Sequence, residues 1–86
     1  MDRIIVTIRV GKNAEEYDLE LPMDQKIKDL TCDIADSLEG LNPLLYFDPE
    51  KSCLLNRRNG RRLDPERSLS EECVWNGDLL EVVGRL

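Results

Sequence analysis

From Arg3 to Val10 apolar and polar positions alternate, with Ile4, Val6, Ile8 and Val10 on one side and Arg3, Ile5, Thr7 and Arg9 on the other. A period of two marks a strand with one buried face. Gly11-Lys12-Asn13 supplies residues that tolerate positive φ and predicts a turn. A second alternating run follows, with Tyr17, Leu19 and Leu21 inward and Glu16, Asp18 and Glu20 outward. The two runs predict an antiparallel hairpin that ends at Pro22.

The period then changes. Ile27, Leu30, Ile34, Ala35 and Leu38 share one helical face, while Lys28, Asp29, Asp33, Asp36 and Glu39 lie opposite. This predicts one amphipathic helix of about four turns, with Asp24 as its N-cap and Gly40 as its C-terminal cap. Leu41 to Lys51 breaks the pattern. Asn42-Pro43 and Asp48-Pro49 are loop signals, yet Leu44-Leu45-Tyr46-Phe47 is too apolar to stand wholly in water. That run is either core filling beneath a loop or a docking segment. Cys53 to Arg58 and Arg61 to Leu63 flank Asn59-Gly60, a pair that suits a two-residue type I′ hairpin. Leu69 and Val74 are expected in the core on a short irregular segment, and Asn76-Gly77-Asp78 turns into a last strand, Leu79 to Val83. The order strand, strand, helix, strand, short strand, strand predicts an α+β β-grasp roll. Its mixed sheet of four to five strands would carry the one amphipathic helix packed across its face.

A length of 86 residues leaves room for one domain, residues 1–86. The longest apolar run, Leu44 to Phe47, is too short for a transmembrane helix. Met1-Asp2-Arg3 leads into the first strand without the features of a signal peptide, so a cytoplasmic protein is expected. Cys32, Cys53 and Cys73 are odd in number and widely spaced, which fits reduced, partly buried thiols. A net charge of −6 argues against nucleic acid as a partner. Histidine is absent, which removes the commonest general base and metal ligand. No catalytic residue, metal or other cofactor is therefore expected, and binding is the activity left.

Three features are candidate binding residues. Arg57, Arg58, Arg61 and Arg62 place four arginines within six positions. Strand alternation would send Arg57 and Arg58 to opposite faces, leaving three of the four in a patch with Arg9. Guanidinium forks suit an acidic partner or an anionic membrane surface, and the same residues also serve as a solvated, solubilising hairpin. Trp75 either caps the edge of the core or stands exposed as an anchor. Val83 is the third.

With these elements in place the chain resembles ubiquitin over nearly its full length. The helix face Ile27, Leu30, Ile34 is similar to ubiquitin's. Gly60-Arg61-Arg62-Leu63-Asp64 resembles its Gly-Lys-Gln-Leu-Glu, Arg67-Ser68-Leu69-Ser70 its Arg-Thr-Leu-Ser, and Leu80-Glu81-Val82-Val83 its last strand. Of ubiquitin's hydrophobic recognition patch the resemblance retains Val83, with arginines at the other positions. A narrower resemblance is to the YukD-like (EsaB-like) proteins of bacterial type VII secretion. It rests on Leu69-Ser70-Glu71, Cys73, the Asn76-Gly77-Asp78 turn and the long connection from Leu41 to Lys51; Val74-Trp75 and the arginine hairpin depart from it.

That resemblance implies a non-conjugated ubiquitin-like adaptor or regulator that binds a protein partner. The cytosolic face of a membrane secretion ATPase or channel is the implied partner, without membrane insertion by this chain, which is expected as a monomer or weak dimer. The alternatives are a ubiquitin-like interaction module in another pathway, or a sulfur-carrier or modifier protein. The last would need a Gly-Gly tail, whereas Gly84 is followed here by the bulky Arg85 and Leu86.

Overall fold

Each alternating run becomes a strand, and each outward polar row stays in solvent. The structure, a computed structural model, describes residues 2–11 and 15–84. The expected turn residues Lys12 and Asn13, and the tail residues Arg85 and Leu86, lie outside them. Strands β1 (Arg3–Val10) and β2 (Glu15–Pro22) pair antiparallel, with Ile4 opposite Leu21 and Ile8 opposite Tyr17. Helix α1 (Ile27–Leu41) and a 3-10 turn (Pro43–Leu45) follow. Then come β3 (Ser52–Asn56), β4 (Arg61–Arg62) and β5 (Leu79–Gly84). The sheet order is β2-β1-β5-β3-β4, with β1 and β5 parallel and the other pairs antiparallel. This is the expected mixed β-grasp sheet, and its central strand comes from the end of the chain.

The inner face of the sheet and the apolar stripe of α1 form one core. Val6, Ile8, Leu54 and Leu80 from the sheet meet Ile27, Leu30, Ile34 and Leu38 from the helix, with Leu63, Leu69 and Val74 closing the sides. Thr31 is also buried on the helix and satisfies its hydroxyl by donating to the Ile27 carbonyl at 2.8 Å.

Both helix caps differ from expectation. The helix starts at Ile27, and Asp24 does not cap it. The first amides find carbonyls from a distant loop instead: Ile27 N–H donates to Arg67 O at 2.8 Å and Lys28 N–H to Pro65 O at 2.9 Å. Backbone acceptors thus satisfy donors that a side-chain cap would otherwise take. Gly40 lies within the last helical turn rather than beyond it. The chain stops being helical at Asn42, whose extended backbone (φ −158°, ψ 113°) is what the following Pro43 requires.

The run from Leu44 to Phe47 splits. Leu45 is buried and Phe47 packs partly against the core, while Leu44 and Tyr46 are exposed. The cysteines also split: Cys53 is half-buried, but Cys32 and Cys73 are exposed, contrary to expectation. Cys32 sits on the outward side of α1, and Cys73 occupies a turn with φ 55°.

The hairpin at Asn59-Gly60 is not a two-residue turn. Asn56 pairs with Arg61, so Arg57, Arg58, Asn59 and Gly60 make a four-residue loop closed by Gly60 N–H to Asn56 O at 2.7 Å. Two side chains shape it: Asn56 Oδ1 accepts from Arg58 N–H and Asn59 Oδ1 from Arg61 N–H, each at 3.0 Å. Such local side-chain acceptors stabilise turn backbone in place of further ladder. Only Gly60 takes positive φ, 71°.

Candidate functional site

Because β3 ends at Asn56, Arg57 and Arg58 belong to the loop, and strand alternation does not sort them. Arg57 pairs with Glu81 of β5 at 3.4 Å. Arg58 reaches the other way, with Nε donating to Asp78 Oδ1 at 3.0 Å and Nη2 to the Cys73 carbonyl at 2.7 Å. Its guanidinium also lies 3.8 Å from the centroid of the Trp75 ring. Arg9 is engaged by Glu16 at 2.7 Å, so the expected four-residue patch with Arg9 does not form as one positive field.

Asp78 organises the Arg58–Trp75 end. Its residue is only 7% exposed, and its carboxylate accepts from Arg58, from Asn56 Nδ2 at 3.1 Å and from Trp75 N–H at 2.8 Å. Burial pushes this carboxyl up, but the bonds from Arg58, Trp75 and Asn56 and the guanidinium charge outweigh it, holding the group below its ordinary value. The preceding residues dock on β1. Asn76 Oδ1 accepts from Ile5 N–H at 2.8 Å, and Gly77, at φ 90°, donates to Ile5 O at 2.7 Å. Asn-Gly-Asp is therefore a tether as much as a turn. Trp75 is left 60% exposed, while its neighbour Val74 fills the core.

Arg61 and Arg62 differ from the other two. Among the described residues neither forms an ion pair, and Arg62 spends Nη1 on neutral atoms, the Gly84 carbonyl at 2.9 Å and Cys53 Sγ at 3.0 Å. Among the described residues no carboxylate cancels their positive charge. Register carries Arg62 to Leu55, Leu55 to Glu81 and Cys53 to Val83. The outer face of β3–β5 thus offers half-buried Leu55 and Val83 beside Arg62, with Glu81 occupied by Arg57.

Of the candidate residues, Arg58 and Trp75 come together through Asp78, and Arg62 joins the face of Val83. Arg57 stands between these groups, and Arg61 lies at the sheet edge. Sequence reasoning missed Asp78, Asn56 and Leu55 as the residues that set this arrangement. A polar Asn56 on the inward phase of a strand was the available signal, since a fully buried amide must find partners. Among the described residues no group of three His, Cys, Asp or Glu side chains could hold a metal ion, and no helix is long and apolar enough to cross a membrane.

These features define a ubiquitin-like β-grasp protein. The fold is similar to that of the UBL domain of Plasmodium falciparum Dsk2, with TM-score 0.75 and 19% identity over 98% of this chain and 100% of that one. The family described as "WXG100 protein secretion system (Wss), protein YukD" matches residues 3–82, and the chain belongs to it. No curated protein sequence matches the chain.

Proposed function

We propose that this protein is a cytoplasmic ubiquitin-like adaptor of WXG100 (type VII) secretion, acting by non-covalent protein binding rather than catalysis. Its contact surface is the outer face of β3–β5, where Arg62 borders Leu55 and Val83, together with Arg61 at the adjoining sheet edge. The partner is an acidic surface on the cytosolic side of the membrane-embedded export machinery. Membership of the YukD family over residues 3–82 carries the pathway. The two arginines without ion partners among the described residues support the surface. Guanidinium groups that keep free donors bind carboxylates bidentately, and an apolar centre with a charged rim is the usual layout of a binding patch.

The test is recovery of the export machinery on immobilised protein, comparing wild type with Arg61→Glu/Arg62→Glu. The change breaks no ion pair among the described residues and gives up only the exposed bonds from Arg62 to Gly84 O and Cys53 Sγ, so the fold should be kept, checked by the unfolding midpoint. Loss of recovery supports the surface; undiminished recovery retires it.

A further inference from the structure

Among the described residues one margin of the sheet is left open. β2 pairs with β1 alone and is eight residues long, whereas natural edges are commonly short, covered or interrupted. The alternation of the antiparallel ladder fixes which of its backbone groups face outward. Ile5 and Thr7 turn their amides away from β2, to Asn76 and Asp78. Ile4, Val6 and Ile8 are therefore the residues that exchange hydrogen bonds with Leu21, Leu19 and Tyr17. The N–H and C=O groups of Glu16, Asp18 and Glu20 then point to the open edge, where no described residue pairs with them.

The side chains around this edge sort by face. Glu16, Asp18 and Glu20 form an acidic row on the outer face. Leu19 and Leu21, with Leu30 and Ile34 of α1, supply the aliphatic part of the lining of a groove of about 210 Å³, to which Arg3, Gln25, Asp33 and Ser37 add polar groups.

We propose that this edge docks an extended peptide segment of a partner protein, one that alternates aliphatic with basic residues and joins the sheet beside β2. Residues of such a strand opposite Glu16, Asp18 and Glu20 share their face, so lysine or arginine there meets the acidic row. The intervening residues turn inward and lay aliphatic side chains along the groove, while the main chain satisfies the open donors and acceptors. The carboxylates are already held in place: Arg9 bonds Glu16 at 2.7 Å, Thr7 Oγ1 donates to Asp18 Oδ1 at 2.7 Å, and the exposed Arg3 lies 3.6 Å from Glu20. Among the described residues, Glu16 Oε1 and Asp18 Oδ2 are left to accept. A second copy of this chain is a poor occupant. Antiparallel pairing of two β2 strands about Asp18 sets Asp18 against Asp18 and Glu16 against Glu20, like charges directly opposed.

The experiment titrates ¹⁵N-labelled protein with a capped octapeptide alternating lysine and valine, and separately with its glutamate–valine counterpart. The lysine peptide should shift, saturably, the amides of β2 and of the Leu30–Ser37 side of α1, and bind roughly tenfold or more tightly than the glutamate peptide. Asp18→Lys/Glu20→Lys should reverse that preference. Equal binding of the two peptides, shifts confined to other surfaces, or no saturable shift with the lysine peptide would each overturn the proposal. The measurement uses purified protein and synthetic peptides, so its outcome is separate from that of the secretion and arginine-face reading.

Discussion

Burial disfavours the charged form of Asp78, yet three donors, one of them the charged Arg58 guanidinium, hold the carboxyl below its ordinary value. A carboxyl whose folded pKa lies below its unfolded one contributes stability that is present above the unfolded value, about 3.9, and is lost as pH falls through the folded value. Asp78→Asn keeps the shape, removes the charge and sets an amide donor among donors. It should cost about 2 kcal/mol at neutral pH by urea unfolding, with the gap between variant and wild type closing below about pH 4. A gap that persists unchanged in acid would show that the charge is not what stabilises. Arg58 and Trp75 were visible in the sequence as residue types, but their use was not. The carboxylate that joins them is local to Trp75 but lies on a different segment from Arg58, and no local pattern announces that long-range pairing.

Helix α1 shows the same limit at the scale of an element. Its apolar stripe, Ile27, Leu30, Ile34, Ala35 and Leu38, is legible because it repeats with the helical period, and all five residues are buried. Its ends are not, because their determinants are the carbonyls of Pro65 and Arg67 at one end and the backbone demand of Pro43 at the other. Two substitutions separate these readings. A Cβ added at Gly40 meets no heavy atom within 4 Å, and the residue is helical, so Gly40→Ala should stabilise by roughly 0.5–1 kcal/mol. A glycine acting as a left-handed cap would instead lose stability on that change. Asp24→Ala should stay within about 0.5 kcal/mol of wild type, where loss of a real N-cap costs about 1. Urea midpoints of the two variants check both. The Asn59-Gly60 hairpin was found in the right place with the wrong loop, since Asn56 and Asn59 spend their side chains on the turn and shorten the ladder.

Across the whole molecule the strand that completes the sheet is the last one. β5 lies between β1 and β3, so the β1–β2 and β3–β4 hairpins belong to one sheet only once Leu79–Gly84 is inserted between them. The set of strands was readable from alternation; this order was not, because strand pairing depends on contacts between distant segments. The arrangement predicts a gradient of hydrogen exchange. Amides of Leu80 and Glu81, where β5 pairs with both β1 and β3 and Leu80 is fully buried, should exchange only through global unfolding, with protection that follows total stability as urea is raised. In β2 exchange should alternate: Tyr17, Leu19 and Leu21, bonded to β1, should be slow, and Glu16, Asp18 and Glu20, directed at the open edge, fast. Uniform protection along β2 would mean that its outward groups already have partners, in this chain or a second copy, and would remove the open edge on which peptide docking depends. Fast exchange at alternate positions that turns slow when the lysine–valine peptide is added would instead place the new strand at the backbone itself.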